Sequence, residues 1–481
     1  MTVKARFDNT YSRLPDAFHV RQLPTPVRAP TLGAFNLPLA DELGVDVSGV
    51  DEAQLAAICA GNKVPEGAEP IALAYAGHQF GNFVPTLGDG RALLMGELVD
   101  VHGRRRDLQW KGSGRTPFSR GGDGRSALGP VLREYLVSEA MYALGLPTSR
   151  ALSATLTGEQ VLREEPLPGG VLIRVAASHV RIGTFEYFAV RSDLESLRQL
   201  TAYVIHRHDP ELAEEACPAL QLLTAVGKRQ AALVAGWMSI GFIHGVMNTD
   251  NMSISGETID FGPCAFMDEY DPATVYSYID RRGRYAYGNQ PAVLQWNLAR
   301  LAEALLPLIH DQPEEAVAMA TEVLGQVPGW YREAWQGRLR GKLGLVGAEP
   351  DDHELAEALL RLMHAEQADF TNTFRALSGV AAGVAVLPTA FDSWRRDWQA
   401  RLARDQREGL PDRLRAANPA FIPRNHQVER ALEAAVREGN LTPFRRLHEV
   451  LQRPFEDQPE AAHYADPPRV EERIGHTFCG T

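Results

Sequence analysis

Apolar positions fall in short runs over the first part of the chain and recur at helical spacing over the second. RALLMGELVD (91–100) and RRRDLQWKG (104–112) read as two strands joined by a glycine-bearing hairpin connection. The glycine-dense stretch GSGRTPFSRGGDGRS (112–126) follows. SALGPVLREYLVSEAMYALG (126–145) then places Leu128, Val131, Leu132, Leu136, Met141 and Leu144 at helical spacing and closes at Gly145 and Pro147. SRALSATLTG (149–158) and GGVLIRVAAS (169–178) predict two further strands. From about residue 196 the pattern is helical, including AVLQWNLARLAEALLPLI, HELAEALLRLMHAE and QVERALEAAVREG. The expected fold class is therefore α+β, a mixed β/α part followed by a mainly helical one.

Residues 1–60 are rich in proline and short apolar stretches. They predict an extended arm with one or two helices, too apolar for a free tail and hence packed on the body. No fixed-period repeat is visible, which argues against a solenoid. Between the helical blocks lies one polar island, HGVMNTDNMSISGETIDFGP (244–263). Loops held between scaffold elements are where chemistry concentrates.

Charge and cysteine content narrow the classes. The 481 residues carry 49 basic and 61 acidic side chains, a net charge of −12. That balance argues against a chain that coats nucleic acid or anionic membrane, while leaving room for a local basic pocket. No apolar run approaches a membrane span, and the first residues lack the apolar core of a secretory signal. Four cysteines (Cys59, Cys217, Cys264, Cys479) are too scattered for a disulfide scaffold or a zinc site. The expected address is a reducing cytoplasm.

The island has the layout of a kinase catalytic centre. Asn251 falls seven residues after His244 and is preceded by Asp250. A short hairpin with its turn at SGE leads to Asp260-Phe261-Gly262. A nucleoside triphosphate needs Mg²⁺ or Mn²⁺, and such hard cations take oxygen ligands. Asn251 and Asp260 suit that task, with Gly262 allowing the backbone to bend beside the metal ligand. Upstream, Lys111 ends a strand and Glu134 lies on the next helix, the order of a phosphate-binding lysine held by a glutamate. Each of these residues alone reads equally as a solvated strand end, helix face or Asx turn. Their shared order is what carries the kinase-like reading.

One departure is informative. A kinase loop has its proton-accepting Asp two positions after the His, and here that position is Val246. Asp250 is the available replacement. Two glycine loops, Gly88-Asp89-Gly90-Arg91 and Gly121-Gly122-Asp123-Gly124, flank the lysine strand where a kinase would have its single glycine-rich loop. They are either tight turns or phosphate-approaching backbone, Arg91 adding a fork for phosphate oxygens. Arg174 lies inside the apolar strand VLIRVA and Arg181 seven residues later. A charge there needs a structural ion pair or a ligand.

The longer motifs resemble the selenoprotein O family, called YdiU in bacteria. The resemblance is carried by YAGHQFG (75–81), LGDGRA (87–92), DLQWKGSGRTPFSRGGDGR (107–125), the island, and NPAFIPRNHQVERAL (418–432), and so runs through most of the chain. It implies a protein-kinase-like two-lobed fold: a packed N-terminal extension (1–60), an N-lobe (61–195) and a helical C-lobe (196–481) with extra terminal segments. It implies nucleotide bound in a flipped orientation and AMP, or UMP, transferred from ATP or UTP to Ser, Thr or Tyr hydroxyls of protein substrates. It further implies nucleotide contacts at Gly88, Gly90, Arg91, Lys111, Asp123, Gly124, Arg174, Arg181 and Asp260, support from Glu134, metal at Asn251 and Asp260, and proton acceptance by Asp250. The alternatives are an atypical kinase and an ATP-binding pseudokinase without turnover. Some members carry selenocysteine near the C-terminus, where this chain has Cys479. Cys264 and Cys479 are either unrelated or two ends of a reversible bridge.

Overall fold

The computed structural model describes residues 3–405 and 408–477. Twelve strands occur among the described residues: β1 (His19–Arg21), β2 (Thr31–Phe35), β3 (Ile71–Leu73), β4 (Gly77–Gln79), β5 (Asn82–Val84), β6 (Ala92–Val99), β7 (Arg105–Lys111), β8 (Ser126–Ala127), β9 (Arg150–Leu162), β10 (Pro166–Ala176), β11 (Phe242–Ile243) and β12 (Ala265–Phe266). Eight build one sheet in the order β1-β3-β6-β7-β10-β9-β2, with β8 added against β10, and every pairing in it is antiparallel.

Alternation along β6 shows how the sheet is covered. Leu93 and Met95 face the N-terminal arm, whose helices Leu37–Glu42 and Glu52–Cys59 bring Leu39, Leu43, Ile58 and Cys59 against Leu108, Trp110 and Ile173. The Trp110 indole N–H donates to the Ile58 carbonyl at 3.0 Å, so the largest buried ring on this face is also satisfied. On the other face the helix Leu128–Ala143 packs on β9 and β10. It is covered in turn by the helices Asn425–Arg437 and Thr442–Leu451 through Leu132, Tyr135, Leu136, Val428, Leu432, Phe444 and Leu447. Burial on both sides explains why this helix has hidden polar residues: Arg133, Glu134 and Glu139 are each buried and each paired.

The predicted strands and the predicted helix are present, with one extension. The hairpin β9–β10 runs to Leu162 and back from Pro166, past Gly158 and Pro168, residues that in sequence read as the end of a strand. The helical part contains Leu194–His208, Pro218–Ser239, Gln290–Ile309, Pro313–Lys342, Asp352–Ala365 and Phe370–Ala381, and one large apolar core joins them to the sheet through Ile71, Leu73 and Leu94. No helix among the described residues is long and apolar enough to cross a membrane.

The arm supplies more than the two helices expected of it. Its strands β1 and β2 form both ends of the main path of the sheet, and residues 22–30 connect them. Seven strands on that path give six spacings, a span of about 29 Å. Ten Cα steps from Arg21 to Thr31 reach about 33 Å when extended. The connection is therefore nearly taut, and Pro24, Pro26 and Pro30 stiffen it in the extended form. Its N–H groups tie it to the body: Thr25 donates to the Ser113 carbonyl, Val27 to Asn62 Oδ1 and Ala29 to the Thr157 carbonyl. In return Arg125 of the glycine loop donates to the carbonyls of Thr25 and Pro26.

Candidate functional site

A cavity of about 890 Å³ opens between the end of β7 and the polar island. Twelve of the residues expected from sequence line it: Gly88, Gly90, Arg91, Lys111, Asp123, Gly124, Glu134, Arg174, Arg181, Asp250, Asn251 and Asp260. At its centre Lys111 Nζ lies 2.6 Å from Glu134 Oε2 and 2.7 Å from Asp260 Oδ1. Arg174 reaches the same Asp260 oxygen at 2.7 Å and Glu134 Oε1 at 3.3 Å. Arg181 donates to Asp260 Oδ2 at 3.1 Å and to the Asp250 carbonyl at 2.7 Å, and its guanidinium lies over the Tyr75 ring. Three cations thus converge on two carboxylates, Glu134 and Asp260. The surplus positive charge at the centre suits a polyanion.

Burial pushes the Asp260 carboxyl up, but Arg174, Lys111 and Arg181 together overcome it and hold the group well below the usual carboxylate range. Asp260 also carries the left-handed backbone of this turn, at φ 63°. The sequence reading gave that bend to Gly262, which is not among the residues with positive φ. An Asp in this conformation costs about 1–2 kcal/mol, offset here by the cations that fix its side chain.

The island is organised by His244 and Asn248. The His244 ring bonds the Ile259 carbonyl at 2.9 Å, tying the start of the island to its end. Asn248 Oδ1 accepts from the Phe80 N–H at 3.0 Å and the Tyr285 hydroxyl at 2.7 Å. Asp250 follows in a 3₁₀ turn, Thr249–Asn251, and is buried. Its Oδ1 has no hydrogen-bond partner, while Oδ2 has only a long 3.5 Å contact from Gln79. Burial raises its carboxyl to about 6, the charge of Arg181 opposing. Asn251 Nδ2 donates to the Val246 carbonyl at 2.9 Å, which leaves its side-chain oxygen turned to other use. Asn251 and Asp260 offer oxygen donors of the kind Mg²⁺ and Mn²⁺ take. Among the described residues no cluster of three or more His, Cys, Asp or Glu is arranged to hold a metal ion, here or elsewhere, so a metal at this site would draw its remaining ligands from the nucleotide or water.

The two glycine loops fit against each other. A Cβ on Gly88 would lie 2.2 Å from the Phe118 ring, one on Gly90 2.9 Å from the Phe118 carbonyl, and one on Gly124 2.1 Å from the Gly114 carbonyl. Glycine is required at all three by this packing. Asp123 lines the cavity, yet its carboxylate is held by Arg163 at 2.9 Å and by the Arg125 N–H.

Several contributors carried no assigned role in sequence. Gln109, inside β7, accepts from Arg174 at 2.6 Å and donates to Asp89 Oδ2 at 3.1 Å, linking the strand to the GDGR loop. The hairpin β4–β5 clasps the turn at Thr249–Asn251. His78 N–H donates to Thr249 Oγ1 at 2.7 Å, and Glu186 binds both the His78 ring and the Thr249 hydroxyl. The YAGHQFG motif was the available signal, since it contains Tyr75, His78 and Gln79. Cys264 is buried beneath the site, where burial lifts its thiol to about 11, and Arg133 donates to its carbonyl. Cys479 lies outside the described residues.

With this geometry in view, the comparisons with known proteins are consistent with one another. The family model described as protein adenylyltransferase SelO matches residues 1–452. A protein nucleotidyltransferase YdiU of Rhizobium leguminosarum bv. trifolii is 57% identical over 99% of this chain and 97% of its own length. Proteins of the same description from Bradyrhizobium diazoefficiens and Agrobacterium fabrum are 56% and 55% identical, covering 100% and 99% of this chain and all of their own.

Proposed function

The chain belongs to the SelO family of protein adenylyltransferases, and we propose that the cavity between β7 and the turn at 249–251 is where it transfers a nucleotide onto proteins. The observation that carries this reading is the meeting of three cations and two carboxylates beside a buried Asp250 with one unpartnered oxygen. The strand lysine paired to a helix glutamate supports a kinase-like arrangement, with residues 61–195 as the smaller lobe, 196–481 as the helical lobe and 1–60 as an extension packed on the body.

In this reading ATP places its triphosphate against Lys111, Arg174 and Arg181, with Arg91 and the loops at 88–91 and 121–124 along its length. Asn251 and Asp260 would hold Mg²⁺ or Mn²⁺, which when bound neutralises triphosphate charge. Asp250 accepts the proton of a Ser, Thr or Tyr hydroxyl. The hydroxyl oxygen bonds to the α-phosphorus, the bond from that phosphorus to the bridging oxygen breaks, and pyrophosphate leaves. Positioning and charge stabilisation supply most of the acceleration, since the protein forms no bond itself. Val246, buried and apolar at the kinase base position, supports Asp250 as the acceptor and argues against ordinary phosphoryl transfer.

The test is the fate of label from ATP marked at the α- or the γ-phosphate, with Mg²⁺ or Mn²⁺ and a protein acceptor. Label retained only from the α-position is expected. Label retained from the γ-position would make the enzyme a phosphotransferase and remove the argument from Val246.

A further inference from the structure

The segment beyond the island turns at the mouth of the cavity, and its tip is basic. Ile279 lines the same cavity as Asp250 and is 61% exposed, beside the exposed Tyr278. Arg281 and Arg282 follow, both exposed, and neither forms an ion pair or hydrogen bond among the described residues. Arg284 differs: it is half-buried, its guanidinium packed over the Trp296 ring at 4.6 Å and the Tyr285 ring at 5.7 Å, so it backs the tip and is not part of its open surface.

The carboxylate nearest in sequence is otherwise engaged. Asp280 is buried, and its two oxygens accept the backbone N–H groups of Arg284 at 2.9 Å and Tyr285 at 2.7 Å. That closes the turn, on which Arg281 and Arg282 are exposed. Tyr285 in turn bonds Asn248, two residues before Asp250, so the basic tip is tied to the catalytic turn. Arg281 and Arg282 stand exposed and, among the described residues, without an acidic partner two and three positions after Ile279, which lines the cavity. One residue, Asp280, separates Ile279 from Arg281, so the Arg281 guanidinium lies within about 14 Å of the cavity mouth. That distance matches three or four residues of an extended peptide.

We propose that Arg281 and Arg282 form a docking strip for acidic side chains within a few residues of the acceptor hydroxyl, so that the preferred substrates present Ser, Thr or Tyr in an acidic, extended segment. Ile279 and Tyr278 supply the apolar contact beside it. The inference rests on the transfer chemistry proposed above and adds a substrate class to it. Electrostatic complementarity of this kind governs partner choice and association rate.

The experiment uses the full chain and short fluorescent peptides carrying one Tyr or Ser flanked by Glu, by Gln or by Lys. Two readouts are taken: binding by anisotropy, and transfer of α-label from ATP. Wild type should favour the Glu-flanked peptide by about tenfold or more in both, an advantage that shrinks with salt. R281E/R282E should lose that preference and favour the Lys-flanked peptide, with transfer to the Gln-flanked peptide and KM for ATP unchanged. R281K/R282K should retain the wild-type preference. Equal use of all three peptides by wild type would overturn the proposal. So would a rise in KM for ATP in R281E/R282E with every acceptor alike, which would assign the arginines to the nucleotide. Acidic-peptide binding that switches with charge reversal but brings no α-label transfer would leave the docking strip standing and overturn the transfer reading instead.

Discussion

Gly77 and Asp250 touch so closely that a methyl group on Gly77 would lie 2.7 Å from Asp250 Oδ1 and 2.9 Å from its Cβ. The absent side chain of β4 is what gives the carboxylate its place. Gly77→Ala must therefore push Asp250 aside, because Leu87 blocks the other direction at 3.0 Å. A displacement of the order of 1 Å at a reacting group costs about 10²-fold in rate. The expected result is a loss of that size in kcat for α-label transfer, with ATP affinity unchanged. A variant with full turnover would show that Asp250 need not sit where it does.

Asp260→Asn tests the metal and cation centre. Asn tolerates the left-handed backbone that Asp260 adopts, so the turn keeps its shape. The variant loses the charge that three cations share, and breaking a buried pair of this kind costs about 3–5 kcal/mol. The unliganded protein should melt at a lower temperature. Nucleotide affinity should cease to respond to Mg²⁺ or Mn²⁺. A metal titration showing wild-type nucleotide affinity would remove Asp260 as a ligand.

Asp89 predicts a pH dependence of stability. Burial raises its carboxyl to about 6, the charge of Arg181 and the Leu73 N–H opposing. An acid whose folded value lies above its unfolded value of about 3.9 binds its proton more tightly when folded. Its contribution is fully present below pH ~4 and is lost as pH rises to about 6, by an amount on the order of 2–3 kcal/mol. Asp89→Asn keeps an acceptor for Leu73 and Gln109, which both bond one oxygen. Urea midpoints should then fall less between pH 4.5 and 7 than in wild type, the comparison being made at a series of pH values in that ~2.5-unit range. Parallel curves for the two proteins would refute the prediction.

Phe444→Ala tests the C-terminal cover. Phe444 is fully buried, with its ring 5.9 Å from that of Tyr135, the neighbour of Glu134. A Phe→Ala change in a core costs about 3–5 kcal/mol. Denaturation should show that loss. ATP binding should weaken as well, because the helix that positions Glu134 against Lys111 loses its support. Reduced stability with wild-type ATP affinity would confine the C-terminal helices to a scaffolding role.

What the sequence revealed and what it hid follow from chain distance. That Lys111, Glu134, Asn251 and Asp260 share one cavity was legible because the proposed chemistry would impose their order and residue type. The strands 92–99 and 105–111 and the helix 128–143 were legible because their period is local. The clasp of His78 and Phe80 on Thr249 and Asn248 joins residues about 170 positions apart through backbone N–H groups, which leave no trace in residue type. The strands β1 and β2 are three and five residues long and flanked by proline, below what alternation can signal. The bend at Asp260 was misplaced because glycine is the usual occupant of that conformation, and here a network of charges imposes it on an aspartate.

The taut connection between β1 and β2 has a consequence for how the molecule is made. Those two strands leave the ribosome early, yet their partners are Ile71–Leu73 and Leu156 to Ser153. The β1 end can pair once residue 73 has been made, but the β2 end cannot be sealed until the chain has been synthesised past residue 156, and the length of residues 22–30 allows little error in how many strands lie between. The arm therefore acts as a late gauge of assembly. A sheet with one strand missing or misregistered would leave the connection slack, and one with a strand too many could not be spanned. Folding is then expected to end with the arm settling across the finished sheet, a slow step set by contacts distant in sequence.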